Sequence, residues 1–368
     1  MTYMMQYKNK HKKHRSRGWY YLAAIGVFLL LIFGSIKLGQ HIWQSWGQGL
    51  SFNFTKTAAE ADYNPFAGSS NYPVAVMIDN SPEARPYHAG LFDALVVYET
   101  LAEGGSTRLE AVFAGAPAAE RVGPVRSARP YFVQVAAGWG AFYWHAGGSP
   151  EGLALIKKLV RQNEFINLNE ISGYGPIYLW REKSVGAPHN LFTSGEKIAK
   201  ALADFELTAL PEAKLIWRWE KNGDDKAAKK QAEKAAGLAN NIQVIFSPGL
   251  VFNPSYVYDA EKKAYQRSLA KKPHQDYNTK EQLAASNVII QKVPGEVALA
   301  SGYDRIDFDT VGQGEAIYFR DGQVFIGTWK KAATASQTEW FLGDRPYILK
   351  QGQTWVEIVP GEREVSYN

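Results

Sequence analysis

Residues 18–36 hold no charged side chain, and their centre is the unbroken apolar run Ile25, Gly26, Val27, Phe28, Leu29, Leu30, Leu31, Ile32, Phe33. No other feature restricts the chain so strongly. As a helix rising ~1.5 Å per residue the segment is about 28 Å long, close to the ~30 Å of bilayer hydrocarbon. Trp19, Tyr20 and Tyr21 stand at its start and Trp43 and Trp46 beyond its end, where amphipathic rings meet lipid headgroups. Lys8, Lys10, Lys12, Lys13, Arg15 and Arg17 precede it with no acidic residue among them, whereas Lys37 alone follows closely. This asymmetry predicts a basic cytoplasmic tail at 1–17, one transmembrane helix at 18–36, and residues 37–368 on the extracytoplasmic side of the cell membrane, tied to the lipid bilayer. A cleaved signal peptide is the competing reading. The run exceeds the roughly 7–15 residues of a signal core, and no A-x-A-like site follows it. A buried soluble helix fits less well still, since every face is apolar and both flanks match a membrane interface.

The charge outside that segment excludes one class of partner. Of the chain's 41 basic residues, six lie in 1–17 and one is Lys37, which leaves 34 against 36 acidic residues, a balance of −2. A mildly acidic folded part is not built to grip a phosphate backbone, so nucleic acid is not expected as a partner. Cysteine is absent. Its absence excludes disulfides, thiolate metal sites, a cysteine nucleophile and a lipid carried on an N-terminal cysteine. A domain of this length can hold a sufficient core without disulfides.

Residues 37–70 mix Gly, Gln, Ser, Asn and Thr with scattered aromatics and read as a stalk, with folding expected from near Tyr72. Short apolar runs at 74–78, 95–98, 109–113 and 142–145 read as strands. Helical signals come between or after them. Ser149 is a plausible N-cap followed by Pro150 and Glu151, and Thr193 with Glu196 forms a capping-box pattern. The pattern predicts an α/β domain over 71–218 around a central sheet. An Ala/Lys-rich stretch at 219–240 reads as a linker, or alternatively as an exposed helix within one domain. Strand-like runs at 242–246, 288–290, 316–319, 324–329 and 355–359 predict a mainly β domain over 241–361 and a tail at 362–368. Asp321-Gly322 is a strong hairpin signal, because a tight primed turn needs φ > 0 at both central positions.

Candidate chemistry gathers in three places. The first is Gly123-Pro124-Val125-Arg126-Ser127-Ala128-Arg129-Pro130, which predicts a helix over 128–137 terminated by Gly138. Arg126 and Arg129 would sit at the positive end of its dipole, where a protein carboxylate or a bound anion must answer them. Glu99 and Glu103 are the available protein partners. The second is His145-Ala146-Gly147-Gly148-Ser149 between a strand and a capped helix, a geometry that suits a βα connection or an anion seat. Asp79 and Asn80 end another strand, and ligands collect at such ends. The third is Arg181 with His189 and Asn190. No His/Asp/Glu spacing supports a metal site, no cofactor motif is present, and no G-x-S-x-G nucleophile motif occurs. Tyr256, Tyr258, Trp329, Trp340 and Trp355 read as core aromatics or as a sugar- or peptide-binding platform.

These residues fall within runs that resemble the YerB-like family. They are VAVMIDNSPEARP at 74–86, ALVVYETLAEGGSTR at 94–108, VGPVRSARPYFV at 122–133, YWHAGGSPE at 143–151 and APHNLFTS at 187–194, with VYDAEKKAYQR at 257–267, GQGEAIYFRDGQVFIGTWKK at 312–331 and GQTWVEIVP at 352–360. The resemblance implies a two-part protein on the outer face of the cell membrane, known mainly from Gram-positive bacteria, in a family without an assigned activity. It also carries over a cluster: Asp79, Asn80, Arg85, Glu99, Glu103, Arg108, Arg126, Arg129, His145, Arg181, His189 and Asn190. One departure is the missing cysteine: YerB resembles a lipoprotein, and here residues 18–36 would replace that anchor. The expectation is a protein that binds an anionic cell-wall glycan, stem peptide or phosphate-bearing polymer through this cluster together with Gly147, Gly148 and Ser149. The alternatives are a cell-wall hydrolase or transferase with Glu103 or His145 as acid/base, and an interaction module for envelope proteins of wall synthesis or division.

Overall fold

The computed structural model describes residues 63–67, 71–208, 215–221, 225–295, 297–298 and 306–368. The transmembrane helix expected at 18–36, the basic tail and most of the stalk lie outside these residues. Among the described residues no helix is long and apolar enough to cross a membrane. Asp62–Asn368 form one compact unit.

The architecture is mainly β with few helices, where an α/β first half was expected. The strands β1 (Pro73–Asp79), β2 (Val96–Leu101), β3 (Thr107–Ala114), β4 (Phe142–His145) and β5 (Ile166–Asn169) come from the first half. The second half supplies β6 (Asn241–Val244), β7 (Pro254–Asp259), β8 (Ala264–Leu269), β9 (Asn287–Val293), β10 (Gly312–Arg320), β11 (Gln323–Lys331), β12 (Glu339–Leu342), β13 (Thr354–Pro360) and β14 (Val365–Tyr367). One large sheet runs β12-β11-β10-β9-β13-β2-β3-β1-β4-β5, and a smaller one runs β8-β7-β6-β14. The large sheet passes through both halves of the chain. Strand β13 lies between β9 and β2, parallel to each, with Trp355 opposite both Val288 and Val97.

β1 is buried along its whole length, which explains its unbroken apolar sequence. Val74, Val76 and Ile78 join one core cluster and Ala75 and Met77 the other, as the two-residue side-chain period requires. Helices α1 (Pro130–Trp139) and α2 (Pro150–Arg161) cover the second of these faces. The smaller sheet and helix α3 (Gly195–Asp204) cover the first.

Several local expectations shift. α1 passes through Gly138 and ends at Gly140, whose φ of 60° supplies the left-handed cap. Gly138 is small for another reason, since a Cβ there would come within 2.7 Å of the Ser336 carbonyl. The cap of α3 is Ser194, whose oxygen accepts from Lys197 N, while Thr193 donates to Tyr178 O at 2.9 Å. The stretch expected as a linker is folded where it is described. Trp219 is fully buried, helix α4 (Lys226–Ala232) buries Ala228 and Gln231, and 237–238 pair with β11. The expected tail contributes β14, antiparallel to β6. Before Tyr72, Phe66 is already buried, its ring 5.6 Å from that of Trp139. Trp329, Trp340, Trp355 and Tyr256 are core residues.

Candidate functional site

The parallel neighbours β1, β4 and β5 end side by side, and Asp79, His145 and Asn169 are the last residues of these strands. Asp79 is nearly buried, with Arg126 Nε 3.2 Å and His189 Nδ1 2.7 Å from its Oδ2. Its Oδ1 accepts from Ser81 N at 3.0 Å, and Ser81 Oγ lies 3.0 Å from His189 Nδ1. Burial alone would raise the Asp79 carboxyl, but Arg126, the Ser81 amide and His189 outweigh it and hold its pKa below the ordinary value. Arg126 is about a quarter exposed and makes no other side-chain bond among the described residues.

Glu103 answers the other arginines. Its carboxylate pairs with Arg129 Nε and accepts from Arg108 Nη2 at 3.1 Å. Burial raises it, but the Arg129 hydrogen bond and the Arg108 charge win and keep it ionised. The cations before α1 are thus met by protein carboxylates, Asp79 for Arg126 and Glu103 for Arg129. Glu99, the other expected partner, takes a different cation in the core.

His145 is fully buried and stacks on Tyr143. Its Nδ1 lies 2.6 Å from Gly147 O, which accepts only, so Nδ1 carries the proton and Nε2 holds a lone pair. Nε2 has no partner. Burial pushes its pKa down to about 4, so the ring is neutral. Gly147 donates to Asn169 Oδ1 at 2.9 Å with φ 61°, a conformation that glycine adopts without strain. Gly148 packs against Ala128 and Leu153. Ser149 caps α2 through Gly152 N. The glycine turn is a βα connection that is packed at Gly148 and open beside Gly147. Arg181 reaches Glu170 at 2.9 Å and Asn190 at 3.0 Å on the surface.

Asn80 and Glu99 lie inside the protein. Asn80 donates to Glu99 at 3.0 Å and to Thr107 at 2.7 Å. Glu99 pairs with Arg267 of β8, both fully buried, and Arg267 also donates to Tyr256 at 3.2 Å and to His274 Nδ1 at 3.1 Å. His274 Nε2 lies 2.7 Å from His88 Nδ1, and His88 Nε2 lies 2.6 Å from Asp79 O. Every proton in this chain points the same way, from the Arg267 guanidinium through two neutral imidazoles to the Asp79 carbonyl. Burial pushes His88 down to about 4 and His274 well below its ordinary value. Glu357, behind Tyr256, is raised to about 8 by burial and by Glu99.

Sequence reasoning missed Arg267, His88, His274 and Glu357, and named Tyr256 only as an aromatic. The available signal was phase: Glu357 and Arg267 occupy inward positions of TWVEIVP and AYQRSL, where apolar residues belong. Glu110, also inward on β3, has two buried and unpartnered oxygens, and burial raises its pKa well above the ordinary value. Among the described residues no group of three or more His, Asp or Glu side chains is placed to hold a metal ion.

Two family models match the chain, the N-terminal domain of a protein of unknown function (DUF3048) over residues 63–208 and the corresponding C-terminal domain over 242–356. The chain is 31% identical over 293 residues to "Putative lipoprotein YerB" of Bacillus subtilis (strain 168), covering 78% of this chain and 81% of that protein. The crystal structure of the Bacillus subtilis YerB protein is similar with a TM-score of 0.66 at 28% identity, over 81% of this chain and 94% of that one.

Proposed function

The chain belongs to the two-domain DUF3048 family, the YerB-like proteins, and on that premise we propose that it is a membrane-held envelope protein that binds an anionic ligand on the extracytoplasmic side. Residues 18–36 would be its anchor, in the place of the lipid that the relative's name describes. The ligand class is an envelope molecule bearing carboxylate or phosphate, such as a wall glycan, stem peptide or phosphate-bearing polymer.

One observation carries this reading. Two guanidiniums flank the end of β1 with donors that no protein carboxylate takes. Arg126 meets only Asp79, through Nε. Arg85 makes no ion pair with a carboxylate among the described residues, and its buried Nη2 has no hydrogen-bond partner, although the charges of Glu99, Glu83 and Asp79 act on it from further away. A desolvated guanidinium with an unmade hydrogen bond is costly, and a ligand oxygen would reduce that cost.

The same geometry favours binding over turnover. Glu103 is held ionised by two arginines and so lacks the proton of a general acid, while the free nitrogen of His145 is sealed from solvent and weakly basic. Thermal unfolding of the full chain in detergent, measured against wall fragments, phosphates and neutral analogues, tests the proposal. A saturating anion at ~100 times its dissociation constant adds about 2.7 kcal/mol, roughly several degrees for a protein of this size. The double variant Arg85→Gln plus Arg126→Gln should lose that shift while keeping its own fold. No shift with any anion overturns the reading.

A further inference from the structure

A cavity of about 550 Å³ opens where the loop after β1 meets the loops that follow β8. The first loop belongs to the segment matched by the N-terminal family model and the others to that matched by the C-terminal one. Its size falls in the ~300–1,000 Å³ of small-molecule sites. Pro86, Leu269 and Pro273 give it apolar walls, and His274 closes it from the core side. Because His274 accepts from Arg267 and meets His88 with its other nitrogen, it stays neutral and brings no charge to the cavity.

The charge comes from three cations. Arg85 lies over the Phe252 ring at 5.0 Å, donates from Nε to Asn80 O at 3.1 Å, and leaves Nη2 buried without a partner. Lys272 and Lys280 are exposed lining residues, the Lys280 ammonium 3.6 Å from the Tyr277 ring centre. The acidic lining residue, Asp276, accepts from Phe92 N at 3.1 Å and Asn278 N at 2.8 Å, which spends its carboxylate on the protein itself. The cavity therefore combines a guanidinium with a donor that no protein group takes, two lysines and an apolar lining.

We infer that this cavity between the two family-matched segments is the seat of a small organic anion, its carboxylate or phosphate head on Arg85 and its apolar body against Pro86, Leu269 and Pro273. The inference rests on the anion-binding reading above and adds the place and the amphipathic character of the ligand. Calorimetric titration of the full chain in detergent with benzoate, phenyl phosphate and uncharged benzyl alcohol tests it. At least one of the two anions should bind, with the alcohol weaker by about tenfold or more, as expected when a charge-assisted hydrogen bond is lost. The preferred anion shows whether the head is carboxylate or phosphate. Arg85→Gln should weaken that anion by a similar factor, as should the surface reversal Lys272→Glu plus Lys280→Glu, which touches no core residue; Lys157→Gln, an exposed charge on α2 outside the cavity, should leave it unchanged. Affinity unchanged in both cavity variants overturns the inference. If Arg126→Gln then abolishes binding, the anion-binding reading survives at the strand ends, and if neither anion binds the wild-type chain both fail.

Discussion

At the scale of single residues, the two imidazoles between Arg267 and Asp79 are the most constrained groups in the molecule. Each ring nitrogen of His88 and His274 has one partner, and the polarity is fixed at one end by a guanidinium, which only donates, and at the other by a carbonyl, which only accepts. A proton added to either ring would bring two donors together or set a donor against Arg267. This makes a pH prediction with a definite sign. His88 and His145 have ordinary values of 6.5 and folded values of about 4, so between those limits the unfolded chain binds protons that the folded one refuses. The imidazole contribution to stability therefore falls as pH drops from 6.5 towards 4, while the raised carboxyls of Glu357 and Glu110, protonated in the fold and ionised in the unfolded chain, contribute in the opposite sense over the same range. The Asp79 and Glu103 contributions are lost only lower, as pH falls through their depressed folded values. Urea unfolding followed by tryptophan fluorescence at a series of pH values, on the double variant Glu110→Gln plus Glu357→Gln that removes the opposing carboxyls, should show the decline beginning near 6.5, and a flat profile of that variant down to pH 4.5 would contradict it.

At the scale of elements, local chemistry and packing divide the work. The Asp321-Gly322 turn joins β10 and β11 with φ of 53° and 72°, and the register closes with Arg320 opposite Gln323. These are the conformations that the dipeptide signals. Gly322→Ala should cost about 1–2 kcal/mol from the left-handed backbone alone, and more from its neighbour, because a Cβ there would come within 2.9 Å of Tyr258 Cδ1. Denaturation midpoints of the two proteins measure this, and an unchanged midpoint would mean that the turn relaxes freely. The start of α2 was equally legible, with Ser149 as cap and Pro150 in the first turn. The end of α1 was not. Two glycines stand there; the left-handed Gly140 closes the helix, while Gly138 lies within it, against Ser336, which is distant in sequence.

At the scale of the whole molecule, two family-matched segments share one sheet. The β2 edge is completed by β13 from the far end of the chain, and the Glu99 of β2 takes its counter-charge from Arg267 of β8. A fragment ending at 220 would carry an unpaired strand edge and an uncompensated buried carboxylate. It should fail to unfold cooperatively, whereas the full chain should show one transition; a dispersed, native-like spectrum of residues 63–220 alone would refute this. The sequence by itself determined the two-part family, the position of most long strands, the hairpin, the α2 cap, and the arginines whose charge at a helix start demanded an answer. These depend on neighbours a few residues apart, or on motifs within one segment. The tertiary structure decided which carboxylate answers which arginine, that Glu99 and Asn80 belong to the core, that β13 lies beside β2, and where a cavity forms around Arg85. Most of these depend on groups tens to more than a hundred residues apart, such as 26 for Arg129 with Glu103 and 168 for Arg267 with Glu99, or on how side chains fill the space between layers, and neither is written in the period of a strand or the spacing of a motif.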